Sequence, residues 1–133
     1  MKRDKTNDSV KLWESIDRQI NGETCELGRY TSDDYVQNPK HLAFVASRYK
    51  FCAKMLEGMD RVIEIGCGDG FGSPIVASAV RHQICTDINR PMLEDNRKRN
   101  RFLNNTTYEF FEFREGPYRE TVDGIYLVDV IEH

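Results

Sequence analysis

Residues 62–73 read Val62-Ile63-Glu64-Ile65-Gly66-Cys67-Gly68-Asp69-Gly70-Phe71-Gly72-Ser73, a short apolar run carrying one acid and followed by glycine at every second position. The apolar run has the length of a buried strand. Glycines at 66, 68, 70 and 72 let the backbone take positive φ and approach a ligand with no Cβ in the way. Ser73-Pro74 then has the chemistry of a helix start, serine as N-cap and proline at the first helical position. A strand, a glycine loop and a helix start in that order make a cradle for an anionic or nucleotide-like ligand.

Two common cradles do not match. A dinucleotide fingerprint needs Gly-x-Gly-x-x-Gly, and the third glycine falls on Phe71 counting from Gly66 or on Ser73 counting from Gly68. A phosphate-binding P-loop ends in Gly-Lys-Ser/Thr, and no lysine lies between Arg61 and Arg97. The segment Glu64-Ile65-Gly66-Cys67-Gly68-Asp69-Gly70 instead resembles the first motif of class I S-adenosylmethionine-dependent methyltransferases, an acid, one residue, then Gly-x-Gly-x-Gly.

Two further segments share that resemblance in order and spacing. His82-Gln83-Ile84-Cys85-Thr86-Asp87-Ile88-Asn89 is a second short strand ending in an acid, about twenty residues past the glycines, where α/β nucleotide-binding folds hold the ribose hydroxyls. Val122-Asp123-Gly124-Ile125, running on through Asp129 to Glu132-His133, is similar to the family's fourth strand and following loop, with Val122 in place of the usual aromatic. The resemblance spans roughly residues 40–133. It implies S-adenosylmethionine as cofactor, held by Glu64, Gly66, Cys67, Gly68, Asp69 and Gly70 of the first motif and by Asp87 and Ile88 at the second strand end. Met92 would lie against adenine, Glu112 and Phe113 would meet the adenine edge, and Asp129 would shape the methionine end. Glu132 and His133 would border the transferred methyl group, His133 being the candidate base because histidine titrates near neutral pH.

The resemblance implies an α/β fold: a Rossmann-like doubly wound parallel sheet ordered 3-2-1-4, preceded by amino-terminal helices. The family's sheet has seven strands, so the remainder would be missing after strand four. On that view residues 1–38 form an amino-terminal helix and irregular cap segment and residues 39–133 the cofactor-binding core. The pattern places a helix over 8–21, with Val10, Trp13, Ile16 and Ile20 on one stripe, then irregular polar chain over 22–38. A long helix runs from Asn38-Pro39 to about Leu56, with Leu42, Val45, Tyr49, Cys52, Ala53 and Leu56 facing a core and Gly58 closing it. Strand 61–65, helix 73–81, strand 82–86, helix 90–103, strand 107–113 and strand 122–128 complete the alternation that implies a parallel sheet. With strand four as an edge, Ile125, Leu127 and Val128 would invite self-association, and the chain alone would be marginally stable and poorly active.

Composition fits a cytoplasmic protein, with net charge −3, 31% charged residues and no apolar stretch of membrane-spanning length. Cys25, Cys52, Cys67 and Cys85 form no Cys-x-x-Cys pair, so free thiols and no metal are expected. The mild acidity speaks against a nucleic-acid footprint, the cluster Arg90, Arg97, Lys98, Arg99 and Arg101 being read as a solvated helix face. Methyl transfer to a small-molecule acceptor is the expected function. The alternatives are a non-catalytic cofactor-binding or interaction module derived from a methyltransferase, and, less well matched, a nucleotide-dependent dehydrogenase.

Overall fold

The computed structural model describes residues 5–20 and 22–130; Glu132 and His133, the two residues expected beside the methyl group, lie outside the described residues. Helices α1 (Lys5–Gln19), α2 (Arg29–Gln37) and α3 (Pro39–Met55) precede β1 (Arg61–Ile65), α4 (Ser73–Ala77), β2 (His82–Asp87), α5 (Arg90–Arg99), β3 (Thr106–Phe110) and β4 (Gly124–Tyr126). The strands form one sheet in the order β3-β2-β1-β4, every pair parallel, as the sequence predicts.

The register fixes which side chains share a face. Glu64 pairs with Cys85 and Tyr126, and Cys85 with Tyr108, so these residues and Val62 point to one side. That side carries two apolar clusters. Tyr49, Ala53 and Leu56 of α3 pack with Val62, Val76, Val80 and Tyr126, while Leu93 of α5 packs with Cys67, Cys85 and Tyr108. Helices α3, α4 and α5 therefore cover one face. The connection from β3 to β4 crosses the other, where Tyr118 and Arg119 both bond the carboxylate of Glu109 and Tyr118 meets the rings of Phe111 and Phe113. Beyond β4 no further strand pairs among the described residues, and Ile125 and Leu127 are exposed there.

Several elements differ locally from the sequence pattern, β4 keeping only Gly124–Tyr126 of the expected 122–128. The 22–38 segment, expected to be irregular, contains α2, whose first turn is bonded from a distant loop (below). Helix α4 stops at Ala77 instead of residue 81: the Asn105 amide donates to the carbonyls of Ala77 and Val80, and the Arg81 N–H, which would bond Ala77 in a longer helix, donates to the Met59 carbonyl. Its N-cap is Gly72, with Ser73 inside the helix and fully buried. Helix α5 begins as expected, Asn89 accepting from the Met92 N–H at 3.0 Å, but ends at Arg99 because the Asn100 side chain turns inward to the Gly70 carbonyl and the Tyr108 hydroxyl. Strand β3 ends at Phe110, short of residue 113, where Glu112 caps a single 3-10 turn over Phe113–Glu115. Helix α1 buries none of its residues, so its apolar stripe, Trp13 included, faces outward.

Candidate functional site

The carboxyl ends of β1 and β4 open into a cavity of about 550 Å³, the end of an open α/β sheet at which ligands bind. Its floor is the glycine loop, Gly66, Cys67, Gly68 and Asp69. Its walls are α2 and the first half of α3, and Val128 and Asp129 close the side toward β4. Of the residues expected at the cofactor, Gly66, Cys67, Gly68, Asp69 and Asp129 line this space.

Backbone conformation explains the glycines individually. Gly66, Gly68 and Gly70 have φ of +73°, +56° and +72°, the left-handed region in which a side chain is strained. At Gly68 a Cβ would meet nothing within 4 Å, so the backbone there faces open space that a ligand can fill. Gly72 serves a different purpose, since a Cβ on it would lie 2.0 Å from the Tyr49 ring. Gly70 is buried behind the loop, where a Cβ would press on Asn96.

Asp87, at the end of β2, holds the loop from the side. One carboxylate oxygen accepts from the Gly68 N–H at 2.9 Å and the other from the Asn89 N–H at 3.0 Å. Each oxygen keeps a free lone pair, which suits the acid for a pair of vicinal hydroxyls. Ile88 beside it is exposed and Met92 is half-buried one turn into α5. Glu112, two residues past the end of β3, has its carboxylate taken up by Arg114, whose Nε and Nη2 donate at 3.0 and 2.8 Å. Those bonds and the Arg114 N–H hold the Glu112 carboxyl down at about 2. Phe113 contributes its ring to the Phe111–Tyr118 group.

Asp69 and Asp129 are engaged in fixing the walls. Asp69 accepts from the Thr31 N–H at 2.8 Å and from its hydroxyl at 3.0 Å, satisfying an orphan donor in the first turn of α2. Gly28 lets this approach happen, because a Cβ there would lie 2.3 Å from that of Asp69. Arg99 closes the same corner, donating to the carbonyls of Glu26 and Asp69. Asp129 has φ +57° and receives Arg48 of α3 at 2.6 Å. Thr31, Asp34, His41, Arg48 and Tyr49 are absent from the residues predicted for the site. Thr31 and Asp34 fall in the segment read as irregular polar chain and Tyr49 among the residues expected to face a core, and nothing local in the sequence marks any of the five as a site residue.

Glu64, the acid of the first motif, lies in the core behind Tyr49 and outside the cavity lining. The Tyr49 hydroxyl donates to Glu64 Oε1 at 2.9 Å and Oε2 has no partner among the described residues. Burial pushes the Glu64 carboxyl up to about 7, and the Tyr49 hydroxyl pulls it back only in part. A carboxyl raised in the folded chain stabilises most below its unfolded pKa and loses that contribution as pH rises through the folded value. Stability is therefore expected to fall between about pH 4.5 and 7 by up to about 3 kcal/mol from this group. Urea midpoints at pH 5 and pH 8 check this: Glu64→Gln should flatten the difference, and an unchanged slope in that variant would assign it to other groups.

A family model described as a methyltransferase domain matches residues 63–133, more than half of the chain. No curated protein matches. Among solved structures, the N-methyltransferase NodS from Bradyrhizobium japonicum WM9, in complex with S-adenosyl-L-homocysteine, is similar at a TM-score of 0.58 and 14% identity, over 68% of this chain and 45% of that one. Phosphoethanolamine N-methyltransferase 1 of Haemonchus contortus gives 0.57 and 21%, over 96% of this chain and 26% of that one. A dimethyladenosine transferase from Plasmodium falciparum gives 0.56 and 20%, over 68% and 32%. The chain thus spans less than half the length of these structures, and at such identities the likeness is one of fold. The family match, the sheet order β3-β2-β1-β4 and the glycine loop at the carboxyl end of β1 agree: the chain belongs to the methyltransferase-domain family.

Proposed function

We propose that this chain binds S-adenosylmethionine in the cavity above the glycine loop and serves in methyl transfer to a small-molecule acceptor. The observation that carries the proposal is the open space at Gly68, flanked by the Asp87 carboxylate and continuous with the cavity over β1. Gly66, Cys67 and Gly68 would pass under the methionine portion, and Asp87 would accept from the ribose hydroxyls. When bound, the cofactor supplies an electrophilic methyl group on a sulfonium, so the residues of the chain have mainly to align an acceptor and exclude water. The cavity volume is in the range of small-molecule sites. A net charge of −3 favours such an acceptor over a nucleic acid, whose binding is driven by clustered cations. Among the described residues no helix is long and apolar enough to cross a membrane.

Asp87→Ala tests the placement. Loss of charge-assisted hydrogen bonds to two hydroxyls should weaken S-adenosylhomocysteine binding by about 1–3 kcal/mol, read by calorimetry. An unchanged dissociation constant would remove Asp87 from the site.

A further inference from the structure

Helices α2 and α3 meet at Asn38, and across that corner His41 and Asp34 face each other with Nδ1 and Oδ2 2.6 Å apart. Both line the cavity above the glycine loop. The His41 backbone is fixed, its N–H donating to the Asn38 carbonyl at 2.9 Å in the first turn of α3. The imidazole side chain is 45% exposed and its carboxylate partner 24%, so the ring sits at the mouth, open to a molecule that enters, with its anchor deeper. A carboxylate on Nδ1 keeps the ring proton on that nitrogen and leaves the Nε2 lone pair free to take another.

Resting on the methyl-transfer function proposed above, we infer that His41 is the base that receives the acceptor's proton, with Asp34 as its positioning residue. The acceptor is then an amine or hydroxyl that carries a proton to lose. In the step, the acceptor nitrogen or oxygen lone pair bonds to the methyl carbon. The carbon–sulfur bond breaks with its electron pair staying on sulfur, which becomes a neutral thioether. The acceptor's N–H or O–H proton passes to Nε2 of His41, and the imidazolium formed is balanced by Asp34. The other charged groups bordering this space are compatible with a cationic ring: Asp33 from α2, Asp69 from the loop, already bonded to Thr31, and Asp129, already paired with Arg48 of α3.

The alternative is that the pair is only a clip between two helices, and nitrogen NMR of the ¹⁵N-histidine-labelled 133-residue chain separates the two. The probe is sinefungin, an analogue carrying a charged amine where the sulfonium methyl would be, with S-adenosylhomocysteine as its uncharged counterpart. The base role predicts the Nδ1–H tautomer in the neutral ring, a shift toward Nε2–H in Asp34→Asn, and its retention in Asp34→Glu. It also predicts that sinefungin lowers the His41 pKa by at least about half a unit, roughly threefold in proton affinity, and S-adenosylhomocysteine by less. Should Asp34→Asn fail to fold, the tautomer and the sinefungin shift of the unsubstituted chain decide alone. Sinefungin bound in calorimetry with no movement of His41 would overturn the base role and leave the cofactor site standing. Absence of binding by either analogue would overturn both. A tenfold or greater loss of sinefungin affinity in His41→Gln would make the ring a cofactor ligand and likewise overturn the base role.

Discussion

Gly72→Ala is expected to destabilise the fold by about 3 kcal/mol, although alanine is ordinarily the best helix former. Gly72 has φ −81° and ψ −13°, so an alanine backbone would be unstrained there. The cost is steric. A Cβ would lie 2.0 Å from both Cδ1 and Cε1 of Tyr49, a ring that is 5% exposed, stands edge-on to Tyr126 and donates its hydroxyl to buried Glu64. Moving the ring would give up that bond to a group with no water to replace it, worth roughly 1–3 kcal/mol in addition to the overpacking. Denaturant unfolding measures the loss, and a double-mutant cycle with Tyr49→Ala should recover part of it. A change below about 1 kcal/mol would mean that α3 and α4 are not packed as described.

Gly68→Val should lower affinity for S-adenosylhomocysteine by about a hundredfold or more while the fold persists, a loss near 2.7 kcal/mol. A branched side chain in the left-handed region strains the loop by about 1–2 kcal/mol, and its methyls would occupy the space through which the ligand must approach. Strain and obstruction can be told apart with Gly58→Val. Gly58 has φ +80° and an equally open surrounding but precedes the amino end of β1 and is not part of the cavity lining. It should share the loss of stability and keep the affinity. Affinity within tenfold of the parent in Gly68→Val would place the ligand elsewhere.

What could be read from sequence was what is local. Periodicity and glycine spacing give β1, the loop, β2, α5 and β4 and a parallel sheet, because each strand is a short apolar run between turn residues, while the order β3-β2-β1-β4 is implied by the family resemblance. Helix α2 was not legible, since its polar residues show no strong period and its first turn is bonded by Asp69, 38 residues away in the chain. The same distance hid the site walls: Arg48 and Asp129 are 81 residues apart, and no pattern in either segment announces the other. Long-range bonds also shortened elements that periodicity extends, those of Asn105 and Met59 at the end of α4 and of Asn100 at the end of α5. Glu64 shows a further limit. Its position in the motif is plain in the sequence, but its burial behind Tyr49 follows from how α3 crosses β1.

Calorimetric titration of the 133-residue chain with S-adenosylhomocysteine, beside NAD as comparator, decides whether the cavity above Gly68 takes S-adenosylmethionine. Saturable one-to-one binding of S-adenosylhomocysteine, weakened in Asp87→Ala and undetectable for NAD at the same concentration, is the predicted result. Absence of S-adenosylhomocysteine binding by the folded chain, or equal binding of NAD, would contradict it.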